Sequence, residues 1–127
     1  MSEPFYLSTE EVLDLVAPDA VGHRPDIRDF GLLDAAVNRA RASVFGRDAY
    51  PDLWSKAAAM LHSIATNHPL VDGNKRLAWH TAVVFLAVNG ATVVVDDDTA
   101  YDLVIAVSTG ELDDVGKIAE RLETFGA

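Results

Sequence analysis

Apolar residues recur three and four positions apart through most of this chain, and this helical spacing restricts its fold more than any other feature. Each such stripe gives a helix one apolar face, which has to be buried against other helices. Six segments carry the pattern, and the short β-branched stretch at 91–95 predicts one brief extended piece. The sequence therefore predicts an all-α fold, a compact bundle of six helices.

Capping residues, prolines and glycines predict where the helices begin and end. Ser8 and Glu11 form a capping box, so the first helix is expected to begin at Ser8. The fourth helix is apolar on most sides, which predicts a central position in the bundle. The second helix is predicted over about 29–43, and Pro51 is placed to open the third, whose apolar stripe begins at 53 and which ends near 67–69. The fourth begins at 73 or 74 and is ended by 89–90, the fifth begins among 96–99 and ends at 110, and the sixth begins at 113 or 114 and includes 122, with loops at 18–28 and 46–52.

Composition excludes several classes of function. A chain of 127 residues without repeats is expected to form one domain, residues 1–127. The absence of cysteine rules out a disulfide framework, a Cys-based zinc site and a Cys nucleophile. A net charge of −10 argues against direct nucleic-acid binding, although an acidic surface can still surround a small basic pocket. Residues 1–4 do not form a basic segment followed by an apolar run, and the sequence holds no 18-residue apolar run. We therefore expect no signal peptide, and a cytoplasmic protein without membrane contact.

The most informative stretch lies between the third and fourth predicted helices and reads His68-Pro69-Leu70-Val71-Asp72-Gly73-Asn74-Lys75-Arg76. Gly73 permits a sharp turn, and the N–H groups that follow it open a helix, where unpaired donors and the helix dipole favour an anion. Two basic residues, Lys75 and Arg76, stand at this end, where the dipole alone disfavours them. An anionic ligand at Gly73, Asn74, Lys75 and Arg76 would offset that repulsion.

Two further residues of the stretch suit phosphoryl or nucleotidyl transfer. Asp72 supplies the single carboxylate that Mg²⁺ commonly takes from a protein when phosphate oxygens and water complete its shell. His68 is a side-chain type that accepts a proton near neutral pH, as a general base does. A base, a metal carboxylate and an anion cradle are together the parts that this chemistry requires.

Two plainer interpretations of the same residues stay open at this point. Gly73 to Arg76 could be no more than a solvated helix start, and a histidine before a proline is often structural. A third interpretation, a zinc site, would need His62 and His80 to converge on His68 and Asp72, because the loop itself offers only two ligands.

The stretch resembles the signature of Fic-type proteins, His-Pro-Phe-x-(Asp/Glu)-Gly-Asn-x-Arg, at all fixed positions but one. Lys75 matches the death-on-curing (Doc) branch, whereas adenylyl-transferring Fic enzymes have a second glycine there. The resemblance covers roughly residues 7 to 123 and includes further segments at 31–36, 50–58, 78–79, 85–90 and 109–111.

The resemblance implies a small helical bundle with the active-site loop before its central helix. It implies His68 as the catalytic base, Asp72 as the Mg²⁺ ligand, and Asn74, Lys75 and Arg76 with the Gly73 backbone as the phosphate cradle for ATP. Doc-like proteins are toxins of type II toxin–antitoxin systems that transfer the γ-phosphate of ATP to a threonine of elongation factor Tu. A small Phd-like antitoxin neutralises them by laying a C-terminal helix in a groove near the active site.

Three residues bear on which activity the resemblance implies. Lys75 fills space that a glycine leaves for the outer phosphates in adenylylation, which favours a kinase over an adenylyltransferase. Trp79 stands where adenylylating enzymes have an arginine. Leu70 replaces the usual loop-anchoring phenylalanine, which weakens the anchor and keeps a third possibility, a binding module without activity, in view.

Overall fold

The computed structural model describes residues 3–19 and 21–127, so the ends of the predicted 1–127 domain at Met1 and Ser2, and Ala20 of the predicted 18–28 loop, lie outside the described residues. Within these ranges the all-α prediction is confirmed, with six helices and one two-stranded sheet. The helices are α1 (Thr9–Glu11), α2 (Phe30–Asn38), α3 (Leu53–Asn67), α4 (Asn74–Val88), α5 (Asp97–Ser108) and α6 (Val115–Thr124).

The capping box at the start of α1 is present as predicted. The Ser8 hydroxyl accepts a hydrogen bond from the Glu11 amide at 3.1 Å, and the Glu11 carboxylate accepts one from the Ser8 amide at 2.9 Å. The helix then widens into a π-helical turn, Val12–Val16, before Pro18. Val12 and Leu13 are fully enclosed, so this turn contributes the apolar face that the sequence indicates.

The predicted second helix is too long at its C-terminal end. After α2 the chain tightens into a 3₁₀ turn, Arg39–Arg41, and then forms a β-hairpin. Strand β1 (Ser43–Val44) begins at the predicted end of the second helix, and β2 (Arg47–Asp48) lies in the predicted 46–52 loop. Phe45 and Gly46 both have positive φ, 53° and 78°, as the tight turn of a hairpin requires. Phe-Gly is not one of the usual turn pairs, so the sequence gives little sign of this hairpin.

The centre of the bundle is the pair α3 and α4. Helix α3 packs against α2, α4, α5 and α6, and almost all of residues 56–65 are buried. Helix α4 packs against α3, α5 and the π-helical turn, and buries Leu77, Phe85 and Leu86. Because α3 ends and α4 begins at the same edge of this pair, the loop between them lies at one end of the core.

The last third of the chain contains the predicted extended piece and the last two predicted helices, and its C-terminal end pairs with the extended piece. Val93, in the predicted extended piece, pairs with Gly126, and the Val94 amide donates to the Phe125 carbonyl at 2.8 Å. Asp96 and Asp114 cap α5 and α6 with their side chains. The buried side chains of the π-helical turn and of α2 to α6 belong to one core cluster. In the described ranges no helix is both long and apolar enough to cross a membrane.

Candidate active site

The loop between α3 and α4 is shaped by residues at its two ends. His68 caps α3 in the left-handed conformation, with φ 50° and ψ 61°, and Pro69 directly after it prevents the helix from continuing. Gly73 is the N-cap residue that precedes α4, and its φ of 84° is a conformation for which glycine is suited. The predicted sharp turn at Gly73 is therefore confirmed.

Leu70 anchors the middle of the loop in the core. Its exposed fraction is 2%, so the smaller leucine still fills the position that the resemblance assigns to an anchoring phenylalanine. It lies opposite Ile27 in an isolated antiparallel bridge. On its other side the Asn74 amide accepts a hydrogen bond from the Leu70 N–H at 2.8 Å and donates one to the Leu70 carbonyl at 3.0 Å.

Asn74 thus has a role that the sequence does not predict. Its side-chain amide is engaged by the Leu70 backbone, so the backbone N–H is the group that Asn74 can offer to a phosphate. Asn74 therefore holds the loop with its side chain, and its part in the predicted cradle is limited to its main-chain N–H.

The segment 26–29 holds the loop from outside, which sequence reasoning missed. The Pro69 carbonyl accepts from the Arg28 amide at 2.8 Å and the Asp29 amide at 3.0 Å, and the Val71 amide donates to the Asp26 carbonyl at 3.0 Å. The Arg28 guanidinium also donates to the carbonyls of Asn67 and His68, each at 2.7 Å. No spacing rule links positions that lie about forty residues apart in the chain.

The N-terminus of α4 is available to an anion. Gly73 has no side chain to cap the helix, and within residues 3–19 and 21–127 the amides of Asn74, Lys75 and Arg76 have no acceptor. The Lys75 and Arg76 side chains are exposed and form no ion pair in that part of the chain. The net charge of the protein is −10, but two unpaired cations at the positive end of a helix favour phosphate binding locally.

A cleft of about 630 Å³ opens over this helix end. All the predicted site residues line it, so the structure brings His68, Asp72 and Lys75 to one space with Gly73, Asn74 and Arg76. The cleft is completed by α5 and the second turn of α4, which sequence reasoning did not assign: Trp79, His80, Asp97, Ala100, Tyr101 and Val104, together with Val71 of the loop. Trp79 is half-buried and packs edge-on against Phe125, with ring centroids 6.3 Å apart.

The residues of the cleft fit a magnesium ion and do not fit zinc. Asp72 is exposed, and one of its oxygens accepts from the Gly73 amide at 2.9 Å, which leaves the other oxygen for a cation. Mg²⁺ takes one or two protein carboxylates when phosphate and water complete its shell, so Asp72 beside the anion-binding helix end suits it. In the described ranges no three His, Cys, Asp or Glu side chains converge as a metal site.

The zinc hypothesis is wrong for a further reason. His62 lies outside the cleft, where its ring hydrogen-bonds Asp113 at 2.8 Å and Arg39 at 2.9 Å. His80 lines the cleft but lacks the partners that zinc would need.

Fold and loop together define a small all-helical protein with an uncapped, basic helix N-terminus in a cleft. The family described as Fic/DOC matches residues 6–86. Over 124 residues the chain is 50% identical to a protein of Mycolicibacterium smegmatis named Toxin Doc, covering 96% of this chain and 94% of that protein. Over 119 residues it is 32% identical to Protein kinase doc of Escherichia phage P1, covering 92% of each. The chain belongs to the Fic/Doc family.

Proposed function

We propose that this chain, acting as one Fic/Doc domain, is a Doc-type toxin of a type II toxin–antitoxin system. Its activity is that of a protein kinase, which transfers the γ-phosphate of ATP to a threonine of elongation factor Tu and arrests translation in the cytoplasm. Family membership and the names of the two relatives, a toxin and a protein kinase, support this proposal.

One observation carries the proposal. His68, Asp72 and Lys75 line a single cleft, at which the amides of Asn74, Lys75 and Arg76 have no acceptor among the described residues. A base, a carboxylate and a cationic helix end that face one space are what transfer of a phosphoryl group needs, since this chemistry depends on positioning and on charge stabilisation.

Each residue has a distinct part in the proposed reaction. His68 takes the proton of the attacking threonine hydroxyl, whose oxygen bonds to the γ-phosphorus as the bond to ADP breaks. Asp72 holds Mg²⁺, which when bound neutralises negative charge on the phosphate oxygens. The amides of Asn74, Lys75 and Arg76, with the Arg76 side chain, bind those oxygens from the helix end.

Lys75 favours phosphoryl over adenylyl transfer. An adenylylating loop has a glycine at this position, and the glycine leaves room beside the helix end for the β- and γ-phosphates. Here an exposed lysine with a four-carbon stem lines the cleft, and its ammonium has no ion-pair partner in the described residues. ATP is therefore proposed to bind in the reverse direction, with its γ-phosphate toward His68.

The proposed partner is a small Phd-like antitoxin. Its helix is expected to bind in an apolar groove beside the basic edge of the cleft, in the helix-in-groove mode. Co-purification of the chain when expressed with its genetic neighbours tests this, and an active, partner-free chain from such expression would contradict it.

The decisive experiment incubates purified elongation factor Tu with the chain and with ATP labelled at either the α- or the γ-phosphate. Label is expected on the target from γ-labelled ATP alone. Lys75→Gly should lose most of this transfer. Lys117→Ala is the matched control, because Lys117 lies in the first turn of α6, whose N-terminus Asp114 caps.

The two alternative functions predict different outcomes of the labelling experiment. Transfer of the α-label would identify an adenylyltransferase and remove the argument from Lys75. No transfer of either label, with bound antitoxin still recovered, would identify a binding module.

A further inference from the structure

We propose that Arg28 is a positioning residue for His68, an inference that rests on the proposed role of His68 as the base. Arg28 does not line the cleft, and it comes forty residues before His68 in the chain. Its guanidinium nevertheless makes two hydrogen bonds that determine where the imidazole can lie.

The two acceptors of Arg28 belong to the two peptide groups on either side of the His68 Cα. Nη2 donates to the Asn67 carbonyl and Nε to the His68 carbonyl, both at 2.7 Å. Two peptide planes held against one rigid guanidinium fix the φ and ψ that lie between them. Since the Cα–Cβ direction follows from the backbone, Arg28 also sets the direction in which the His68 side chain leaves the loop.

His68 needs this restraint because its backbone is strained. In the described part of the chain, Phe45 and His68 are the two non-glycine residues with positive φ. Such a conformation persists only where the surroundings enforce it, and it is often found at functional sites. The segment 26–29 fixes Pro69 and Val71 through the backbone, and the Arg28 side chain extends that support to His68 itself.

The charge of Arg28 has no carboxylate partner in the described ranges. The cation instead faces the last carbonyls of α3, which lack intrahelical donors and carry the negative end of the helix dipole. Arg24, four residues earlier, behaves differently, because it pairs with Asp14 and Glu10 of the first helical segment. Arg24 therefore offers a control of the same residue type in the same connection between the π-helical turn and α2.

The test compares Arg28→Ala, Arg28→Lys and Arg24→Ala in the full chain. In the kinase assay with γ-labelled ATP, Arg28→Ala should lower kcat roughly 10²-fold, the cost of a misplaced catalytic group, with KM for ATP close to wild type. Arg28→Lys keeps the charge but not the two-pronged geometry, so its kcat should fall between those of Arg28→Ala and wild type. Arg24→Ala should keep the wild-type kcat.

A second readout does not depend on activity. In ¹⁵N relaxation the amide order parameter of His68 should fall in Arg28→Ala from the rigid value of about 0.85 towards about 0.6, and Arg24→Ala should leave it unchanged. If wild type transfers no phosphate but His68 loosens as expected, the proposed kinase function fails while the positioning role stands. Wild-type kcat in Arg28→Ala, a rigid His68 in that variant, or a change in KM for ATP with kcat unaltered would each overturn the proposal.

Discussion

The side chain of Asn74 offers the sharpest test of how the active-site loop is held. Leu70 and Ile27 form a pair in which neither residue bonds the other's backbone, because the ladder bonds run from Arg28 to Pro69 and from Val71 to Asp26. The Leu70 N–H and carbonyl therefore face away from Ile27, and the Asn74 amide satisfies both, at 2.8 and 3.0 Å. Asn74→Ala removes both bonds at once.

The expected loss of stability follows from those two bonds. The Leu70 N–H, in a residue with an exposed fraction of 2%, becomes a buried donor without an acceptor, which costs about 1–3 kcal/mol. The Leu70 carbonyl loses a bond worth about 0.5–1.5 kcal/mol. Alanine recovers about 0.5 kcal/mol of helix propensity at the start of α4. We expect the free energy of unfolding to fall by about 1–4 kcal/mol, with a central value of about 2.5 kcal/mol.

Urea unfolding followed by circular dichroism measures this loss. In a thermal scan, at about 4 °C per kcal/mol for a chain of this size, the central loss of about 2.5 kcal/mol should lower Tm by about 10 °C. Asn67→Ala is the matched control, because the Asn67 side chain is exposed and makes no hydrogen bond in the described residues; its effect should stay within about 0.5 kcal/mol. A loss below about 0.5 kcal/mol in Asn74→Ala would show that the amide does not hold the loop.

Three further outcomes are expected. His68→Asn should lower kcat about 10²–10⁴-fold with an unchanged circular dichroism spectrum, because asparagine tolerates the left-handed backbone but cannot act as a base; equal kcat would refute the assignment. Asp72→Asn should weaken the binding of Mn²⁺, used as a probe for Mg²⁺, when ATP is present. Electron paramagnetic resonance measures this binding, and undiminished binding would exclude Asp72 as a ligand. Lys56→Met should lower the free energy of unfolding, measured in urea, by about 1–2 kcal/mol, because the Lys56 ammonium donates hydrogen bonds to Asp48 and to the Tyr50 carbonyl. These bonds lie at the end of α3 that is far from His68, so kcat should not change, and a loss of kcat at full stability would contradict this.

Local chemistry explains why most of the helix bounds could be predicted. Ser8, Asp96 and Asp114 cap their helices through side chains that reach only three residues along the chain, so their signals are complete within the sequence. The hairpin after α2 was missed because Phe45 carries no turn signal. The sequence gives no sign that Lys56 of α3 is buried, yet its exposed fraction is 1%, because Asp48 and the Tyr50 carbonyl accept hydrogen bonds from its ammonium.

For the candidate site, too, the sequence determined some features and the tertiary structure decided the others. The sequence alone determined that His68, Asp72 and Lys75 stand within a few residues of one another at a helix start, because Pro69 ends one helix and Gly73 allows the next to begin. Only the tertiary structure decided which groups surround them: Arg28 on the backbone of His68, the amide of Asn74 turned to Leu70, and Tyr101 of α5 lining the cleft. These groups meet because helices pack through nonlocal apolar faces, and the spacing of residues along a chain does not specify which faces pair.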